Sequence, residues 1–198
     1  MNKVIISFLT TFLTFSLISL ATADDVKIGV ILGFTGPIES LTPGMAAGAE
    51  LAFNEASDSG ALLGGSTVSS IRADSTCIDS AAAASAAEFL ISQGVTAIMG
   101  ADCSGVTGAV LSNVAVPNGV PMISPSATSP ALTTAEDNGL FFRTAPSDAR
   151  GGEVLADITN DRGITSVAIT YVNTDYGVGL ADVYEAAAAA RVIEVTEK

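Results

Sequence analysis

Along this chain, short β-rich runs alternate with longer runs at helical spacing, and that alternation constrains the fold more than any other feature. Strands separated by helices of ten or more residues pair in parallel, through right-handed crossovers that leave helices on both faces of the sheet. Residues 26–32 read as a first strand, which Gly33-Phe34-Thr35-Gly36-Pro37 ends. Met45, Ala49, Ala52, Phe53 and Ala56 then recur at the period of a helix. Residues 67–72 form a second strand, Asp79 caps an alanine-dense helix to about Gln93, and Gly94 stops it. A third strand at 95–100, a helix at about 105–116, a short fourth strand at 119–123 and a fifth at 140–143 complete one unit. After Pro146-Ser147-Asp148 a second unit begins, with a helix near 152–161, a strand at 166–172, a helix at 176–190 and a further strand from Val192. The expected fold is α/β, a doubly wound parallel sheet with helices on both faces. Its first unit spans 24–145, and its second, 146–198, is only begun. The last helix runs into Arg191-Val192-Ile193 without the glycine that usually follows a helix end. The alanine-rich stretches at 81–87 and 186–190 read as closely packed helix faces, since alanine is the best helix former.

The first 23 residues are set apart from that pattern. Lys3 precedes an apolar run over residues 4–20, and Ala21-Thr22-Ala23 supplies the small-x-small pattern of a signal-peptidase site. A transmembrane anchor is the competing reading, because the run approaches bilayer-spanning length. Asp24-Asp25 and the lack of stop-transfer charges favour a cleaved signal peptide, 1–23, and export.

Charge and residue usage then exclude several classes of function. The chain carries 8 Lys and Arg against 21 Asp and Glu, so it lacks the clustered positive surface that nucleic acid requires. With no histidine at all, there is no Ser-His-Asp triad, no Cys-His pair and no His-ligated metal. No G-x-G-x-x-G or Walker A pattern is present, which argues against a nucleotide cofactor. An enzyme is not expected, because neither Ser104 nor Thr128 has a base close by in sequence to activate it. Cys77 and Cys103 pair by default in an oxidising compartment, closing a loop of about 27 residues; two buried free thiols are the alternative.

Ligands of open parallel sheets bind beyond the carboxyl ends of the strands, where strand order reverses. That rule selects Ala101-Asp102-Cys103-Ser104-Gly105 after the third strand and Ser124-Pro125-Ser126-Ala127-Thr128-Ser129-Pro130 after the fourth. Both turns place hydroxyls beside free N–H groups at helix starts, which suits a carboxylate. Capping of those helices explains the same residues equally well. The turn at 33–37 is either a third wall or a plain loop.

The segments KIGVILGFTGPIE, ADSTC, GADCSG, ISPSATSPALT, FFRTAPSD and YVNTDYGVGLAD occur in an order and spacing that resemble the periplasmic leucine/isoleucine/valine-binding proteins. These are type I solute receptors of branched-chain and related amino-acid ABC importers. The resemblance covers residues 26 to about 187. It implies a disulfide between Cys77 and Cys103, and Ser104 holding the ligand's α-carboxylate. It also implies Ser126, Ala127 and Thr128 as the loop that meets the carboxylate and ammonium, and Tyr176 packing beside the ligand. No metal or cofactor is implied. The implied partners are a small amino acid and an inner-membrane permease, the receptor being a periplasmic monomer whose lobes close about a hinge near 144–148. Two departures stand out. Where leucine-type receptors carry an aromatic over the ligand's side chain, the nearest residue here is Leu41. Family members are also nearly twice as long, so the acidic residue that pairs with the α-ammonium is expected beyond Lys198. An amide- or urea-type receptor or sensor of the same fold, or a non-functional truncated fragment, are the alternative expectations.

Overall fold

The computed structural model describes residues 25–198, and the expected signal peptide lies outside these described residues. Five parallel strands form the main sheet: β1 (Val26–Leu32), β2 (Val68–Asp74), β3 (Ala97–Gly100), β4 (Met122–Ser124) and β5 (Phe141–Arg143). Their order, β2-β1-β3-β4-β5, reverses direction between β1 and β3. A crevice at the carboxyl ends of these two strands is the geometric consequence of that reversal.

The sheet is apolar because it is covered on both sides. Alternation along β1 sends Ile31 to one face and Val30 and Leu32 to the other, and all three are fully buried. Ile31, Ile98 and Met122 pack with Leu90 of helix α2 (Ser80–Ser92) and Val106 and Val110 of α3 (Ser104–Val110). Val30, Leu32 and Met99 pack under Ala46 of α1 (Thr42–Asp58). The alanine run of α2 is therefore a packing face: Ala83 and Ala87 are fully buried. Asp79 caps α2 as the sequence implies, its carboxylate accepting from the Ala81 and Ala82 N–H groups at 3.0 Å.

The helix after β3 is not a uniform α-helix. A π-turn at Leu111–Ala115 separates α3 from α4 (Val116–Asn118), and the Val116 N–H reaches back five residues to the Leu111 carbonyl. Pro117 follows at once and has no N–H to give, so the ladder has already changed register there.

The second unit contains α5 (Asp148–Asp161), β6 (Ser166–Ala168), α6 (Asp175–Ala190) and β7 (Glu194–Glu197), with β6 and β7 parallel. Ala156, Tyr184, Ala187, Ala188 and Ile193 form its core, where the Tyr184 hydroxyl lies 3.1 Å from that of Thr159. Helix α5 starts four residues earlier than the periodicity predicts, because Ser147 accepts the Ala149 N–H and caps it. Strand β6 ends at Ala168 rather than Val172, and the chain beyond it runs to the cleft described below. Helix α6 ends with the Ile193 N–H on the Ala188 carbonyl and the Val192 N–H on that of Ala189, a Schellman pattern. Val192, at φ 60°, occupies the left-handed position that glycine usually takes. No helix among the described residues is long and apolar enough to cross a membrane.

Candidate functional site

A cleft of about 720 Å³ opens at the carboxyl ends of β1 and β3. Its floor and walls come from the loops after β1 through β4, the first turn of α5 and the segment from Val172 to Tyr176 that leads into α6. The switch point of the sheet is thus where the cavity lies, and both units contribute to it.

The floor is fixed by Asp102, which is 2% exposed. Its Oδ2 accepts the Gly33 N–H at 2.6 Å, while Oδ1 accepts the Ser75 hydroxyl at 3.1 Å and the Cys103 N–H at 2.9 Å. One carboxylate therefore joins the loops after β1, β2 and β3. The disulfide between Cys77 and Cys103 joins the second and third of these again, with Cα atoms 5.2 Å apart. Gly100, just before this turn, has φ 131°, and a Cβ there would lie 2.0 Å from the Ile31 carbonyl, so only glycine lets β3 pass β1 this closely.

Asp74 holds the neighbouring loop. It accepts the Thr35 hydroxyl at 2.6 Å and the N–H groups of Thr76 and Thr35 at 2.8 and 3.3 Å. Burial pushes this carboxyl up, but the hydrogen bonds from Thr35 and Thr76 outweigh it and hold it below its ordinary value.

The loop after β4 is shaped by its own polar groups. Ser124 accepts the Ala127 N–H at 3.0 Å, and Ser126 donates to the Asp102 carbonyl at 2.9 Å. Arg143 of β5 donates to the Ala127 and Ser129 carbonyls at 3.2 and 2.9 Å, which pins the loop from behind. Ser104 accepts the Ser129 N–H at 3.1 Å, tying the start of α3 to this loop.

Of the residues selected from sequence, Ser104, Ser126, Thr128 and Tyr176 are brought together around the cleft, with Cys77, Cys103 and Leu41 on the same walls. Ala127 is not among the lining residues: it is 1% exposed and its carbonyl is taken by Arg143. Ser104 lines the cleft, but it does not cap α3, whose start has no side-chain cap; its hydroxyl serves the Ser129 N–H of the next loop instead. The Thr128 hydroxyl makes no hydrogen bond among the described residues; the Thr128 carbonyl accepts the Asp148 N–H at 3.0 Å.

Sequence reasoning passed over Asp148 and Asp102. Asp148 read as part of a turn, yet it lines the cleft, and its Oδ2 is buried without a hydrogen-bond partner among the described residues. Asp102 stood between Ala101 and Cys103 in a selected turn, and only the three-dimensional meeting of three loops reveals its role. Asp148, Asp175 and Asp102 line the cleft, and among the described residues no Lys, Arg or His does. The residues of its lining that carry a formal charge are therefore all aspartates.

Comparison with known proteins agrees with this geometry. The family model described as periplasmic binding protein matches residues 25–198. The Leu/Ile/Val-binding protein homolog 3 of Brucella melitensis is 34% identical over 166 residues, covering 82% of this chain and 44% of that protein. Among solved structures, the branched-chain amino acid transporter substrate binding protein of Streptococcus pneumoniae, in complex with isoleucine, superposes with a TM-score of 0.74 at 28% identity. The match covers 88% of this chain and 49% of that one. An ABC transporter solute binding protein of R. palustris, in complex with benzoate, gives a TM-score of 0.74 at 25% identity over 88% of this chain and 47% of that one. The chain spans about half the length of the relatives it matches. From the sheet order, the cleft at its switch point and a family match over every described residue, the chain belongs to the periplasmic binding protein family.

Proposed function

We propose that this chain binds a small aliphatic amino acid of the branched-chain type in its cleft and passes it to the membrane permease of an ABC importer. The observation that carries the reading is Asp148: it lines the cleft, and one of its carboxylate oxygens is buried without a hydrogen-bond partner among the described residues, which is costly unless a ligand supplies a donor. An α-ammonium supplies it with a charge-assisted bond. Thr128, whose hydroxyl makes no hydrogen bond among the described residues, and the Ser104 turn line the same cavity and suit the α-carboxylate. In this reading Ser126 and Tyr176 complete the wall, the two units 24–145 and 146–198 are lobes, and residues 144–148 are the hinge. The chain works in the periplasm as a monomer after cleavage behind Ala23, and it performs no covalent chemistry.

The benzoate-bound relative motivates a second reading, an aromatic acid as ligand. Asp148 weighs against it, since a benzoate offers no donor and places like charge beside a carboxylate. Titration of the purified chain with leucine, isoleucine, valine, alanine, glutamate and benzoate, followed by ligand-detected NMR so that millimolar affinities register, separates the two. Binding of the aliphatic amino acids without benzoate is the expected result. Benzoate binding alone, or no binding by any amino acid, would overturn the proposal.

A further inference from the structure

We infer that Ile78 sets the cleft's selectivity for the ligand's side chain, an inference that rests on the amino-acid reading above. Ile78 is 69% exposed and lines the cleft. A lone exposed isoleucine is unremarkable on a surface; this one is held in place from both sides. Cys77 before it is tethered to Cys103, and Asp79 after it is committed to capping α2. Ile78 therefore has little freedom to turn away, and its side chain stays in water until something apolar covers it.

The neighbouring loop after β1 brings a matching surface. Gly36 approaches so near that a Cβ on it would meet the Thr76 carbonyl at 2.4 Å, so the two loops touch. From that loop and the start of α1, Ile38, Leu41 and Met45 line the same cleft as Ile78, and Leu41 is itself 57% exposed. Ser104, Thr128 and Asp148 are joined to one another through the loop after β4, whereas Ile38, Leu41, Met45 and Ile78 come from the touching loops after β1 and β2 and the start of α1, Ile78 being the most exposed large apolar side chain of the lining. An amino acid whose charged groups meet the first set has its side chain left for the second.

The test compares Ile78→Ala and Ile78→Val with the parent chain in titrations against leucine and alanine, read by ligand-detected NMR. The δ1-methyl signal of Ile78 is followed in the parent. Truncation to alanine should weaken leucine binding about tenfold or more while leaving alanine binding unchanged, the usual scale for methylene groups lost from an apolar pocket. The valine variant should fall between, and the Ile78 methyl should shift with leucine far more than with alanine. An unchanged leucine-to-alanine preference in Ile78→Ala would overturn the inference while leaving the amino-acid reading intact. Equal weakening of both ligands would overturn it too, as the mark of a general disturbance. Failure of the parent chain to bind any amino acid would overturn both.

Discussion

The Gly33 N–H sits 2.6 Å from Oδ2 of Asp102, across 69 positions of sequence. Because Oδ1 of the same carboxylate takes the Ser75 hydroxyl and the Cys103 N–H, three strand-end loops depend on one buried side chain. Asp102→Ala leaves those donors without an acceptor in a site 2% exposed. The expected loss of stability is about 3 kcal/mol, since each stranded buried group costs roughly 1–3 kcal/mol. Asp102→Asn retains one acceptor oxygen and should lose about half as much. Urea denaturation at pH 7 measures both; a change under about 0.5 kcal/mol in the alanine variant, the range of an ordinary surface substitution, would refute this role.

Acid should loosen the same end of the sheet through Asp74. Its folded-state carboxyl lies below the ordinary value of 3.8, burial being outweighed by the hydrogen bonds from Thr35 and Thr76. Glu50 is held below its ordinary 4.5 chiefly by its hydrogen bonds with Arg72. A group whose folded value is depressed contributes stability that is complete above its unfolded value and lost as pH falls through the folded one. The urea midpoint should therefore hold steady down to about pH 4.5 and decline below it. Asp74→Asn should be less stable than the parent at pH 7 and show a shallower decline between about pH 4.5 and 2.5. Parallel curves for the two proteins would show that Asp74 contributes nothing to the acid response.

How far the chain could be read in advance differs between its elements. Strand β1 and helix α2 stand where their patterns place them, because an apolar run and a capped alanine helix carry their signals locally. The ends of α5 and β6 do not. Ser147 starts α5 early by a cap that hydrophobic periodicity does not register, and β6 stops where its pairing with β7 stops. At the cleft, the two turns that hold Ser104 and Thr128 were legible, since the switch-point rule acts on element order alone; the choice of those two residues within them rests on the family resemblance. Asp102 and Asp148 were not, because their importance lies in what they meet, or fail to meet, across long stretches of chain. Ala127 shows the converse: it stands between two cleft residues, and Arg143 turns its carbonyl away.

The end of α6 offers a clean measurement of backbone strain. Val192 adopts φ 60° with a β-branched side chain that is 89% exposed. A left-handed conformation costs an L-residue about 1–2 kcal/mol, and glycine returns part of the gain through its freer unfolded state. Val192→Gly should therefore stabilise the chain by about 0.5–1 kcal/mol, a rise of roughly 1–4 °C in melting temperature. Val192→Ala keeps the Cβ and should gain little. Thermal unfolding of the three proteins decides it, and a fall in stability for the glycine variant would mean that the valine side chain contributes contacts of its own.

Ser104 and Thr128 should separate binding from stability, because one hydroxyl is engaged in the fold and the other makes no hydrogen bond among the described residues. Ser104 is 3% exposed and accepts the Ser129 N–H, so Ser104→Ala strands a buried donor at a cost of about 1–2 kcal/mol. Thr128→Val replaces a hydroxyl that makes no hydrogen bond among the described residues with a methyl of nearly the same size. Its stability should stay within about 0.5 kcal/mol of the parent. At the cleft the two should behave alike. A hydrogen bond to a charged ligand group is worth about 1.5–3 kcal/mol, so each variant should weaken leucine binding tenfold or more. Melting curves and leucine titrations on the same preparations give both quantities. The informative outcome is Thr128→Val: an unchanged melting temperature with lost affinity places its hydroxyl on the ligand. Full affinity in that variant would remove Thr128 from the site and leave the loop after β4 a structural element only.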